Sequence, residues 1–273
     1  MNYRHRLFAR LKCSDHTRNT ARANLRAAKD GNGEQYLVLI AHYVDLSQTF
    51  LRCSFTEPAE TRTARMIQLF KGLWQNLGYA ERLSDFEFML AQALIESSSK
   101  QNPAAPQEAL STKLCNLSPQ TRFAVLAHYC GNWPLRWVAL AMRIKASALH
   151  RLLSETRCEL CDINWESLNG EEQTCLEAIS AALDQSPNIH TNQTLSKSTQ
   201  AYPRVLKIKA QWLELRSELV ELRLSHTADQ ASYQQLLTQI LTTTTDNCMQ
   251  RPPVVDRMLN SLHFSRHERI QVS

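Results

Sequence analysis

Apolar residues recur along most of this chain with the period of an α-helix rather than that of a strand. Between residues 35 and 55 they fall at Leu37, Ile40, Ala41, Val44 and Phe50, which predicts a helix with one buried stripe. Glu57-Pro58 ends it. Met66, Ile67, Phe70, Leu73 and Trp74 then predict a helix over 59–77, and Phe86, Met89, Leu90, Ala93 and Leu94 another over 84–96. Residues 97–106, Ser-Ser-Ser-Lys-Gln-Asn-Pro-Ala-Ala-Pro, have no apolar period and read as a tether between two modules.

Beyond the tether, Ser118-Pro119 is a helix N-cap with proline at the first helical position, opening a helix through Phe123, Leu126 and Tyr129 that Gly131-Asn132 stops. Pro134 starts a short helix with Val138, Ala139 and Met142 inward. After a turn near Arg143 to Lys145, a helix over 145–157 carries Leu149, Leu152 and Leu153. Two short helices joined by a tight turn form a helix-turn-helix, whose second member is the one that enters a major groove. Trp133 and Trp137, at the start of the first of them, read as core anchors.

The last third continues the pattern. Cys175, Leu176, Ile179 and Leu183 predict a helix over 171–183, and residues 186–203 form a polar connection. Val205, Ile208, Trp212, Leu215, Leu219 and Leu222, followed by His226, Asp229, Tyr233, Leu236 and Ile240, keep a three-four spacing. Thr227-Ala-Asp-Gln230 matches a capping box, so one helix ends near Ser225 and a second begins, giving an antiparallel hairpin. Its apolar seam either folds back on the body or, through 202–243, meets a second copy or a different protein; Trp212, Leu215 and Leu219 are the contacts it offers. The tail, 247–273, carries Arg251, Arg257, His263, Arg266, His267 and Arg269, and either touches nucleic acid or frays.

Composition narrows the class. With 6 glycines in 273 residues, Gly-rich phosphate loops and tightly turned sheets are poorly supplied, and an all-α fold is expected. The best apolar run, Tyr36 to Leu46, is interrupted by His42 and Asp45, well short of the roughly 20 residues a membrane span needs. The amino terminus has no apolar secretory segment, so the 8 cysteines are expected as reduced thiols in a cytoplasm. The expected organisation is a basic arm (1–34), a first helical module (35–97), a linker (98–113), a helix-turn-helix module (114–160), a helical extension (161–246) and the tail (247–273).

Charge is uneven. Residues 1–29 hold eight Lys or Arg against Asp15 alone, a balance of +7, whereas the rest of the chain has 23 basic and 25 acidic residues. A basic arm on a near-neutral body suits a polyanion, because neutralising phosphates releases counterions; the other reading is a solvated leader. Arg18, Arg22 and Arg26, four apart, share one helix face as candidate phosphate contacts.

Bond-making chemistry is poorly represented. Cys158-Glu-Leu-Cys161 has no second ligand pair at zinc spacing, and Glu166, Glu171, Glu172 and Glu177 sit at a predicted helix start, where they complement the macrodipole. No nucleophile elbow, Walker loop, His-Glu-x-x-His or dinucleotide fingerprint occurs. No catalytic residue, metal or cofactor is expected.

Leu117-Ser-Pro-Gln-Thr-Arg-Phe-Ala-Val-Leu-Ala-His-Tyr129, with Val138-Ala139 and Ile144 through Leu149 and Leu153 to Leu160, resembles region four of the extracytoplasmic-function sigma factors of RNA polymerase. Phe70, Trp74 and Met89-Leu90 resemble that family's region two, and the tether falls where the family has its linker; the resemblance covers residues 35–160. It implies two helical modules, the second reading promoter DNA through Lys145, Ser147, His150 and Arg151. It also implies a contact to RNA polymerase core, or to a replacement protein partner, through Arg65 and Gln68. The departures matter equally. Ala64-Arg-Met-Ile-Gln68 stands where the family has an acidic grip on polymerase, and Ile95-Glu96-Ser-Ser stands where it captures flipped promoter bases; Trp137 and Glu155 replace a Glu and an Arg of the helix-turn-helix. The implied protein is a divergent transcription regulator binding double-stranded DNA, or a related scaffold that has lost DNA and acts as an adaptor.

Overall fold

The helical period becomes eleven α-helices and a further helical stretch at 235–240 among the residues that the computed structural model describes, namely 15–55, 57–98, 109–184, 202–226, 235–240 and 242. No strand occurs among them, and the fold is all-α. In chain order they are α1 (Asp15–Lys29), α2 (Gly33–Ala41), α3 (Val44–Ser54), α4 (Ala59–Gln75), α5 (Leu83–Ser98), α6 (Ala109–Asn116), α7 (Pro119–Val125), α8 (Leu135–Met142), α9 (Ala146–Leu160), α10 (Gly170–Asp184) and α11 (Pro203–His226). None is long and apolar enough to cross a membrane.

The single helix expected over 35–55 is two helices. His42 and Tyr43 bond back to Leu39 and Ile40 in a tight turn, which swings the Tyr43 ring inward against Phe86 and Trp133, with centroids 5.4 and 5.8 Å away. The described ends of the expected linker, 98–113, are helical. Ser97 and Ser98 close α5 by bonding Leu94 O and Ile95 O, and residues 109–113 already belong to α6, where Leu114 is fully buried; residues 99–108 lie outside the described set.

The described parts of the two expected modules share one apolar core. It runs from Ala21 and Leu25 of α1 through Phe50, Phe70, Phe86 and Leu90 to Phe123, Trp133, Val138 and Leu149. Aromatic rings cross the boundary: Phe50 of α3 meets Phe123 of α7 at 6.3 Å, and Tyr43 meets Trp133 edge-on at 5.8 Å. Arg122 fastens the same junction. Buried at 5% exposure, its guanidinium donates to Leu114 O, Cys115 O and Leu117 O at the end of α6 and to Ser54 Oγ at the end of α3. Carbonyls that would otherwise be orphaned at a helix C-terminus are thereby satisfied by one cation.

The C-terminal extension lies on this body. Leu215, Leu219 and Leu222 of α11 and Leu236, Leu237 and Ile240 of the helical stretch 235–240 join the main core; Val205, Ile208 and Trp212 pack with Cys158, Leu168, Leu176 and Ile179 in a second cluster. The capping box expected at Thr227–Gln230 lies outside the described residues. At the start of α10 the carboxylates divide: Glu172 is buried and caps reciprocally, its Oε2 accepting from Asn169 N while Asn169 Oδ1 accepts from Glu172 N.

Candidate nucleic-acid interface

The helix-turn-helix is positioned by local chemistry that the sequence spells out. Ser118 Oγ accepts from Thr121 N to open α7, and Pro119 follows at the first helical position. The helix widens into one π turn over Leu126–Cys130 before Gly131 ends it. Only glycine fits there, since a Cβ would stand 2.7 Å from Ala127 O. Widening lets Trp133 N reach back to Ala127 O and drops the indole into the core, 2% exposed.

Between α8 and α9 the turn is a Schellman closure. Arg143 adopts the left-handed conformation (φ 54°), and Ile144 N bonds Ala139 O at 3.0 Å. Non-glycine residues are disfavoured in that region by about 1–2 kcal/mol. The Arg143 guanidinium lies 3.9 Å from the Phe88 ring centroid, a stacking contact that offsets part of this cost.

Helix α9 is buried unevenly along its length. Leu149 and Leu153 anchor one side and Thr156, Arg157, Cys158 and Leu160 are enclosed by α10 and α11, whereas Lys145, Ala146, Ser147, Ala148 and Arg151 are exposed. Three of the four candidate groove residues, Lys145, Ser147 and Arg151, thus share the open end. The fourth, His150, is half-buried, and its Nδ1 is enclosed without a hydrogen bond. Arg151 is held along the helix by Glu155, Nε to Oε1 at 2.7 Å. Arg136 and Arg143, exposed on the same helix-turn-helix, escaped the sequence reading; the signal for them was the run of basic residues bracketing the turn.

Of the N-terminal candidates, Arg22 and Arg26 are exposed and Arg18 is not. Arg18 continues the apolar stripe of Ala21, Leu25 and Ala28, at three- and four-residue spacing, so its side chain is carried into the body. There it donates to Glu87 Oε2 at 2.7 Å and lies 4.2 Å from the Trp137 ring, both partners being nearly inaccessible. Glu87 also accepts from Tyr43 Oη, and burial pushes its carboxyl up to about 7 although Arg18 pulls the other way.

The proposed partner contacts are likewise mostly engaged within the chain. Arg65 forks onto Glu57 with bonds of 2.5 and 2.7 Å and stacks on Phe55, leaving exposed Gln68 as the accessible member of that pair. Trp212, Leu215 and Leu219 are 2%, 5% and 1% exposed, so the seam they form is filled by the chain itself. Arg157 completes that packing: it lies 5.3 Å from both the Tyr129 and Trp212 rings and donates to Tyr129 Oη and Ser180 Oγ.

Cys158 and Cys161 sit under α11, where burial pushes their thiols up to about 12 and about 11. Protonated thiols are poor nucleophiles and poor metal ligands. Among the described residues no group of three or more His, Cys, Asp or Glu is arranged to hold a metal ion. Comparison of the chain with known protein families, with curated proteins and with solved structures finds no match.

Proposed function

We propose that this protein is a divergent sigma-factor-like transcription regulator that acts by binding, with α8 and α9 addressing double-stranded DNA. The carrying observation is the open first half of α9, where Lys145, Ser147 and Arg151 stand exposed behind a tight turn while the second half is packed. Arg136 and Arg143 add charge beside it, and exposed Arg22 and Arg26 would supply sequence-independent phosphate affinity. Gln68 would be the surviving contact of the first helical region toward RNA polymerase core or a replacement protein partner.

The test is a fluorescence titration of labelled duplexes, first with a random pool and then with the sequence selected from it. Arg151→Ala is expected to weaken the selected duplex by about 1–3 kcal/mol more than it weakens the random pool, and Arg22→Ala to weaken both alike. Equal loss on every duplex for the two variants would refute sequence reading by α9.

An adaptor reading draws on a separate observation: Glu155 and Glu57 neutralise Arg151 and Arg65, two of the arginines offered as contacts for a partner. Under that reading no duplex is bound at low salt, and Gln68→Arg alters capture of a protein partner instead.

A further inference from the structure

Helix α11 is apolar on two opposite sides, and only one of them is used by the body. Val205, Ile208, Trp212, Leu215, Leu219 and Leu222 are buried, yet Leu206, Leu213 and Val220 are 41%, 45% and 42% exposed. At 100° per residue the two stripes lie about 130° apart around the helix. The exposed three repeat every seven residues, and Ala210 and Ser217, also exposed, alternate with them in a three-four spacing. This is a second heptad seam, with Leu206, Leu213 and Val220 at one core position and the small Ala210 and Ser217 at the other.

The residues that flank the seam identify its occupant. Along one edge run Lys209 and Arg216; along the other run Glu214 and Glu221, with Lys207 nearer the helix start. In a parallel pair of helices each residue of the first edge faces the residue five positions later on the opposite edge of its partner. Lys209 then meets Glu214 and Arg216 meets Glu221, and the two-fold repeats both pairings. In an antiparallel pair each edge meets itself, setting Lys209 near Arg216 and Glu214 near Glu214. Charge therefore selects one orientation. We infer that α11 is the seam of a parallel homodimer, in which Leu206, Leu213 and Val220 of two copies close against each other while the bodies lie on the outer sides.

This inference is independent of the DNA reading, because its test contains no nucleic acid. The seam is short: the helix has 24 residues, about 36 Å, and its alternate core position is filled by Ala and Ser, so association is concentration-dependent. The experiment is sedimentation equilibrium of the full chain from about 1 to about 200 µM, a range that brackets micromolar dissociation constants. The wild type is expected to rise from 31.3 kDa toward twice that mass, and Leu213→Glu to stay at 31.3 kDa with an unchanged circular dichroism spectrum. Two charge variants, Lys209→Glu with Arg216→Glu and Glu214→Lys with Glu221→Lys, are each expected to be monomeric alone and to dimerise when mixed. Arg216 also donates to Leu183 O, so the same spectrum checks that its replacement leaves the fold intact. Orientation is read from Val220→Cys, which forms a disulfide-linked dimer on mild oxidation beyond any wild-type background if the helices are parallel; an antiparallel pair would hold the two positions about 20 Å apart. A single 31.3 kDa species at every concentration, a Leu213→Glu dimer, or failure of Val220→Cys to cross-link in a mass-doubled sample would overturn the proposal; the first would assign the face to a different occupant.

Discussion

The two ends of α9 carry arginines six residues apart with opposite roles. Arg151 stands in solvent, held along the helix by Glu155; Arg157 is 4% exposed and threaded between Tyr129, Ser180 and Trp212. Six steps turn a helix by about 240°, so the second falls on the side that α10 and α11 cover. The same contrast appears in α1, where Arg18 is buried on Glu87 and Arg22 is exposed. What separates a residue available to a ligand from one that holds the fold is its register against the apolar stripe.

The largest test of that contrast is Arg18→Ala, which empties the packed site beside Trp137 and breaks the buried hydrogen-bond network of Glu87 and Tyr43. It is expected to cost about 3–4 kcal/mol in urea unfolding, against less than about 0.5 for Arg22→Ala. Next is Arg157→Ala, expected to cost about 2–3 kcal/mol by emptying a packed site and removing its hydrogen bonds, whereas Arg151→Ala should change unfolding by less than about 0.5. Equal effects within either pair would erase the distinction. At the turn, Arg143→Gly is expected to be about 1 kcal/mol more stable than Arg143→Ala, since both lose the Phe88 contact and only glycine escapes the left-handed strain.

The subtlest test is pH. Glu87 holds its proton up to about 7 in the folded protein, above the usual carboxylate range, so the folded state binds more protons than the unfolded chain in between. Stability should therefore fall as pH rises from the ordinary carboxylate range to about 7, and Glu87→Gln should flatten the slope in that window. A slope of the opposite sign would mean that Arg18 dominates the carboxyl.

Local signals were readable from sequence where short-range chemistry decides. Ser118-Pro119 opened a helix as its cap predicts, Gly131-Asn132 closed one, and the helix expected over 59–77 is α4 followed by a 3-10 turn at Leu77–Tyr79. What escaped was decided at long range. Periodicity shows that Trp212, Leu215 and Leu219 need covering, but not that the chain's own core covers them. Nothing local marks Arg122 as the group that satisfies carbonyls of α6 and the hydroxyl of Ser54, or Tyr43 as the residue that breaks the helix around it. At the candidate interface, the turn before α9 was legible, while the half-burial of His150 and the burial of Arg18 were not, because spacing alone does not say how far a neighbouring helix reaches.

The most direct measurement is the salt dependence of duplex affinity between about 50 and 200 mM, for the wild type and for Lys145→Ala with Arg151→Ala. If the exposed end of α9 lies on DNA, the wild-type affinity falls steeply with salt and the double variant loses close to two units of that logarithmic slope. A wild type without salt-dependent affinity at about 50 mM, or a variant whose slope is unchanged, would contradict it.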